Sequence, residues 1–163
     1  KKYPEVNKWY VVNPVETVYN NDQYYLICYD DNHKTLANYR IDRMEKVSKL
    51  ETPINKYEQI EKIDLSKYKR QQVEMYSGEV KKVVFNASKS MLDIIFDKFG
   101  TLAKLSENSD GTVKCTVELQ IGPMLVAWLT AFDTRIQVVS PPTLVSKVKE
   151  HLEKTLSQYQ EEE

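Results

Sequence analysis

The chain has 163 residues, of which 41% are hydrophobic, enough to pack one medium domain or two small ones. Its formal net charge is -1 at pH 7, whereas a domain that grips duplex DNA usually carries a clear positive excess. This charge argues against the chain itself as the part that holds duplex DNA. No apolar run is long enough to span a membrane and no signal-peptide pattern opens the chain, so we expect a cytoplasmic location.

Short strand signals fill the first third of the sequence. The β-rich run 24–29 and the run 36–41 flank a cluster of polar turn residues, so they predict a hairpin. A strand ahead of it would end at Asn13-Pro14, because proline cannot donate to a ladder. The predicted strands are, in chain order, 9–12, 15–19, 24–29, 36–41 and 44–50. Several short strands joined by tight turns indicate a small barrel or a curled sheet.

The remainder of the chain predicts a different architecture. Residues 51–80 are mostly polar with scattered apolar anchors, which indicates a partly helical connector. Beyond it, apolar residues recur at helical spacing up to Gly100, a turn at Asp110-Gly111 separates two β-rich runs, and prolines open two more helices. The predicted order is β-α-β-β-α-β-α, which is the ferredoxin-like split βαβ pattern with a terminal helix.

Residues that carry chemistry do not group into a catalytic or metal-binding pattern. Cys28 and Cys115 are far apart in apolar surroundings, so we expect two buried, reduced thiols. His33 in a turn and His151 on a helix have no partner in register. Glycine-rich phosphate loops and nucleophile-elbow or His-Glu-x-x-His motifs are absent from the sequence. The sequence therefore predicts no catalytic residue, no metal and no cofactor.

Two neighbouring predicted strands carry the pattern of greatest interest. Tyr24-Tyr25-Leu26 is followed by Tyr39-Arg40-Ile41-Asp42-Arg43-Met44. Guanidinium forks bind phosphate oxygens through two parallel hydrogen bonds, and tyrosine rings stack on bases. Strict alternation would place Arg40 and Arg43 on opposite faces unless Asp42 bends the strand into a turn. The structural alternative stays open: the tyrosines would pack a barrel and Arg40 would pair with a carboxylate.

These segments resemble the WYL-domain family of transcriptional regulators. That family shows a Trp/Tyr-Tyr-Leu strand, a polar turn and an aromatic-Arg-aliphatic-Asp-Arg-aliphatic segment, with Tyr24 here in the place of the usual tryptophan. Further marks of the resemblance are Asn13-Pro14, 75–79, Phe99-Gly100, Ala127-Trp128-Leu129 and Val139-Ser140-Pro141. The similarity extends over nearly the whole chain.

The resemblance implies an α+β protein with a defined domain order. An Sm-like small β-barrel would span residues 1–50, a connector 51–80, and a dimerising C-terminal α/β extension 81–163. The family usually carries an N-terminal winged helix-turn-helix that binds operator DNA, and a barrel strand usually precedes the Asn-Pro segment. Neither is found here, so we expect a fragment, and whether its barrel is complete stays open.

Residues and resemblance together predict a sensing and dimerising region that is not an enzyme and has no membrane partner. Its expected effector is a nucleotide or a single-stranded nucleic acid. The predicted ligand-binding residues are Tyr24, Tyr25, Tyr39, Arg40 and Arg43. The alternative is a purely structural dimerisation module with no retained ligand site. Because Trp128 and Phe132 exceed what two small cores need, we expect a homodimer.

Overall fold

The computed structural model describes residues 9–31, 34–54 and 58–160. The chain folds as two compact units that divide between Ile63 and Asp64, called here the first and the second unit. The first contains a three-stranded antiparallel sheet and the second a four-stranded antiparallel sheet with helices. This is the α+β class that the sequence predicts. Among the helices of the described ranges, none combines the length and apolarity needed to cross a bilayer.

The first unit is built on a meander. Its strands are β1 (Asn13–Asn20), β2 (Gln23–Asp30) and β3 (Thr35–Arg40), hydrogen-bonded in that order, and a short helix α1 (Glu58–Glu61) follows. Asn21 and Asp22 both have positive φ, which suits the tight two-residue turn between β1 and β2. The sequence predicts a small barrel or a curled sheet. The described residues form an open sheet in which β1 and β3 do not pair, so no closed barrel is found among them.

The prediction of two strands in the first unit was wrong. Residues 9–12 and 44–50 have no strand structure, and Pro14 lies inside β1 instead of ending an earlier strand. Because β1 is an edge strand, and because its register with β2 shifts between Pro14 and Glu16, a missing N–H breaks no regular ladder there. The edge position tolerates the proline that the sequence argument treated as a stop.

The second unit has the element order that the sequence predicts. After α2 (Leu65–Arg70) come the elements β4 (Glu79–Ala87), α3 (Leu92–Phe99), β5 (Lys104–Glu107), β6 (Val113–Ile121), α4 (Pro123–Thr130), β7 (Ile136–Ser140) and α5 (Pro142–Ser157). The strand order is β5-β6-β4-β7, so β6 lies between β4 and β5, which α3 connects. That insertion is the split βαβ arrangement.

Local residue chemistry explains where these elements begin and end. Gly100 has φ +55 and caps α3, a backbone conformation that side chains with a Cβ rarely adopt. Gly111 has φ +81 in the turn between β5 and β6, where Asp110 accepts hydrogen bonds from the backbone N–H and the hydroxyl of Thr112. Pro123 and Pro142 occupy the first turns of α4 and α5, where their missing N–H costs little.

An aromatic series runs through the core of the second unit. Phe85 and Phe99 have ring centroids 6.5 Å apart, and Trp128 meets Phe99 at 5.0 Å and Phe132 at 5.1 Å, both edge to face. Trp128 and Phe132 are partly buried against this core. The argument that they are surplus to the fold, and therefore indicate a dimer, was wrong, because the second unit uses both in its own packing.

The polar segment that precedes β4 packs onto the second unit. Val73 is buried in its core, the backbone N–H of Gln120 donates to the Gln71 carbonyl at 2.8 Å, and the N–H of Gly78 donates to Gln120 Oε1 at 2.9 Å. Lys67 on α2 pairs with Glu118 on β6 at 2.9 Å. The predicted connector, 51–80, is thus divided between the two units.

Candidate functional site

The register of the first sheet distributes the predicted site residues over two faces. Tyr25 is the cross-strand partner of Arg40, so these two side chains lie on one face at the end of the sheet. Tyr39 is paired with Leu26, the next residue along β2, and Tyr24 lies on the same side as Leu26 by alternation. The structure therefore brings Tyr25 and Arg40 together and separates them from Tyr24 and Tyr39.

Arg40, the last residue of β3, donates side-chain hydrogen bonds to Asp42 and Gln23. Its Nε donates to Asp42 Oδ1 at 3.0 Å and its Nη2 donates to Asp42 Oδ2 at 2.7 Å, a two-point fork on one carboxylate. Nη2 also donates to Gln23 Oε1 at 2.6 Å. Gln23 was missed by the sequence reasoning, although alternation along β2 places it on the same face as Tyr25.

The chain bends directly after Arg40. Ile41–Arg43 form a single 3-10 turn, closed by a hydrogen bond from the Met44 N–H to the Ile41 carbonyl at 3.1 Å. This is the bend at Asp42 that convergence of Arg40 and Arg43 requires. The hydrogen bond from Arg40 lowers the pKa of Asp42, and the charge of Arg43 lowers that pKa further. The carboxylate of Asp42 thus experiences both guanidinium groups.

The opposite face carries exposed tyrosines. Tyr19 and Tyr24 are cross-strand partners with ring centroids 5.1 Å apart, and both rings are more than half exposed. The Tyr19 hydroxyl donates to Asp22 Oδ1 at 2.7 Å. Nearby, Tyr39 meets Tyr10 at 5.9 Å, and burial raises the pKa of the Tyr39 phenol. Tyr10 and Tyr19 were not predicted as site residues, and only the strand register identifies Tyr19.

The other reactive side chains of the sequence are two cysteines and two histidines. Both cysteines are buried and unpaired, and burial raises the pKa of Cys28 to about 11 and that of Cys115 to about 12. Their burial is as predicted, and the raised pKa values keep both thiols protonated at neutral pH. His33 lies outside the described residues and His151 is exposed on α5. Within the described ranges, no group of three or more His, Cys, Asp or Glu side chains is placed to hold a metal ion.

Comparison with known families assigns both units. Residues 2–49, which include the three-stranded sheet and the Arg40 site, match the WYL domain. Residues 79–156, which include the four-stranded sheet, match the WCX domain. The chain belongs to the WYL-domain family. The resemblance drawn from Tyr24-Tyr25-Leu26 and the Arg40 segment is confirmed.

A solved structure similar to this WYL-family chain is the proteasome accessory factor B/C (PafBC) of Arthrobacter aurescens. The two share 19% sequence identity, and the TM-score is 0.40. The match covers 87% of this chain and 21% of that chain, so the present sequence spans about a fifth of that relative's length. No match was found among curated proteins.

Proposed function

We propose that this chain is the effector-sensing region of a WYL-family regulator and that it binds a nucleotide or a short single-stranded nucleic acid beside Arg40. The observation that carries the proposal is the pairing of Arg40 with Tyr25 on one face of an open sheet. A guanidinium fork is suited to two phosphate oxygens and a neighbouring tyrosine to a base. Arg43, in the adjoining turn, would supply a second positive charge near the phosphate.

The charge distribution favours a small ligand. The chain has a formal net charge of -1, and the strands of the first sheet also carry acidic residues such as Glu16 and Asp30. A long polyanion would meet these carboxylates, whereas one nucleotide or a few nucleotides would meet mainly Arg40 and Arg43. A ligand confined to this face would not touch Tyr24 or Tyr39. To contact those residues as well, a nucleic-acid ligand would have to pass around the β3 edge of the sheet.

Sensing would act through a change in conformational populations. An effector can shift a regulator between two arrangements only if it binds one of them more tightly. We propose that the two arrangements differ in the placement of N-terminal DNA-binding domains, through which operator DNA would be bound, and that the protein is not an enzyme. The proposal does not require a closed Sm-like barrel, and the described residues form an open sheet.

A substitution of Arg40 tests the proposal. Arg40→Ala should weaken binding of a labelled short single-stranded oligonucleotide roughly tenfold to hundredfold, as expected for the loss of a charged hydrogen-bond donor. Its melting temperature should change by less than about 3 °C, because exposed ion pairs contribute little to stability. Fluorescence anisotropy at two salt concentrations measures the affinity, which should fall as salt rises.

Arg135→Ala is the matched control. Arg135 also lies two residues from an aspartate partner, Asp133, at 3.6 Å, but its side chain is 47% exposed against 26% for Arg40, and it belongs to the second unit. Its replacement should leave binding unchanged. Equal affinities of wild type and Arg40→Ala would place the site elsewhere, and a large loss of stability in Arg40→Ala would make Arg40 a structural residue.

A second candidate function is dimerisation without a ligand site, and one surface favours dimerisation. Along α5, Leu144 is buried and Val148 packs against the core, and the same helical stripe continues into Leu152 and Leu156. These last two side chains are at least half exposed. We propose that a second copy of the chain covers them, in line with the dimerising role that the family resemblance implies for this extension.

A further inference from the structure

Asp42 occupies the donors that a phosphate would need. Its two carboxylate oxygens accept from Nε and Nη2 of Arg40, at 3.0 and 2.7 Å. A phosphodiester presents two unesterified oxygens in a similar fork, so ligand and carboxylate would use the same pair of N–H groups. Arg40 cannot donate these two hydrogen bonds to both partners at once.

We propose that Asp42 is an internal competitor that holds the Arg40 fork in the free protein and determines which anions can bind there. The inference rests on the proposed function, because it assumes that Arg40 is the ligand's anchor. Only a ligand with two suitably spaced oxygens replaces both hydrogen bonds of the carboxylate. A neutral ligand, or an anion with a single acceptor, would leave one N–H of the fork unpaired and would be disfavoured.

The surroundings of Asp42 suit an exchange of this kind. Its side chain is 50% exposed, so the displaced carboxylate can be hydrated without leaving the surface. It lies in a 3-10 turn beside Arg43, whose charge already acts on it, so Arg43 can stabilise the carboxylate after Arg40 is taken by the ligand. Arg43 would then act on the displaced carboxylate of Asp42 as well as supply positive charge near the phosphate.

Gln23 provides the fixed point of the exchange. Its Oε1 accepts a hydrogen bond from Nη2 of Arg40 at 2.6 Å. Gln23 is on β2, whereas Asp42 lies in the turn after β3. Because this acceptor is neutral, it orients the guanidinium group without competing with an incoming phosphate for the positive charge of Arg40. The fork therefore stays aimed at the same point when Asp42 leaves, which limits the conformational cost of binding.

The experiment compares affinities for one labelled short oligothymidylate across variants of the full 163-residue chain. Asp42→Asn and Asp42→Ala should each bind about tenfold more tightly than wild type, since the competing carboxylate is gone. Adding Arg40→Ala to either variant should abolish the gain. Asp22→Asn removes the same charge from the same unit next to Gln23, without contact to Arg40, and should change affinity less than about threefold at physiological salt.

The outcomes separate the two proposals. If wild type binds through Arg40 but both Asp42 variants bind no more tightly than Asp22→Asn, the competition is overturned and the proposed function stands. If neither wild type nor the Asp42 variants bind the oligothymidylate, or if Arg40→Ala leaves the affinity unchanged, the proposed function fails and the inference fails with it. Tighter binding by the Asp42 variants that is lost with Arg40 is the expected result.

Discussion

Gly78, just before β4, is predicted to tolerate no side chain. An added Cβ would lie 2.9 Å from the carbonyl carbon of Ile121 and closer still to its oxygen, whereas ordinary carbon–carbon contacts are about 3.5–4.0 Å. The neighbour is backbone and cannot rotate away. Ile121 is also held by pairing with Glu79, so relief requires the end of β4 to separate from β6. We therefore expect Gly78→Ala to destabilise the second unit.

The magnitude follows from two costs. Forcing a methyl group into a packed site costs about 1–3 kcal/mol. The shift would also strain the bond from the Gly78 N–H to Gln120 Oε1, and Gln120 is only 4% exposed, so an unmade bond there costs about 1–3 kcal/mol more. Because both costs arise from one displacement, we expect at least about 2 kcal/mol, or roughly 10 °C in melting temperature.

Thermal unfolding followed by the fluorescence of Trp128 measures this effect, because that ring packs in the core of the second unit. A Trp9→Phe background removes the other tryptophan. Gly122→Ala is the control: a Cβ there meets Tyr76 Cβ at an ordinary 3.7 Å, so its cost should stay below about 1 kcal/mol. A Gly78→Ala protein that melts within about 2 °C of wild type would refute the steric argument.

Substitutions elsewhere in the second unit test its packing, its turn and its surface. Phe99→Ala should cost about 3–5 kcal/mol in urea unfolding because the ring is fully buried, whereas Phe96→Ala on the same helix, 60% exposed, should cost about 0.5 kcal/mol or less. Hydrogen bonds from Thr112 lower the pKa of Asp110, so this carboxylate stabilises the fold above about pH 4 and loses that effect as pH falls through the lowered pKa. Asp110→Asn should therefore show a shallower loss of melting temperature below pH 4 than wild type. Leu156→Lys should dissociate a homodimer in light scattering at tens of micromolar, and a wild type that is strictly monomeric there would contradict the dimer.

The second unit was largely readable from the sequence because its signals are local. Gly100 ends α3, Asp110-Gly111 makes the turn between β5 and β6, and Pro123 and Pro142 start helices. Each of these effects depends on a few neighbouring residues. The packing of Trp128 in the second unit could not be predicted from the sequence, because it depends on which other aromatic rings the fold brings next to it.

The first unit shows the limits of local signals. Pro14 stops a central strand but not an edge strand, and the sequence alone does not say which strand is at the edge. The site was predicted in part. Alternation separates Tyr24 from Tyr25 and Tyr39 from Arg40, but only the register shows that Tyr25 is opposite Arg40. The register of a hairpin depends in general on the type and length of its turn, which a residue pattern alone leaves open.

The central claim, that an anionic ligand binds at the Arg40 end of the first sheet, is tested most directly by the arginine Nε–Hε signals in an NMR titration with a short oligonucleotide. Assignment by Arg→Lys substitution identifies each signal. We predict that the Arg40 signal shifts first and furthest, because its Nε exchanges the Asp42 carboxylate for a phosphate oxygen. An unmoved Arg40 signal, with shifts confined to Arg70 or Arg135 in the second unit, would contradict the claim.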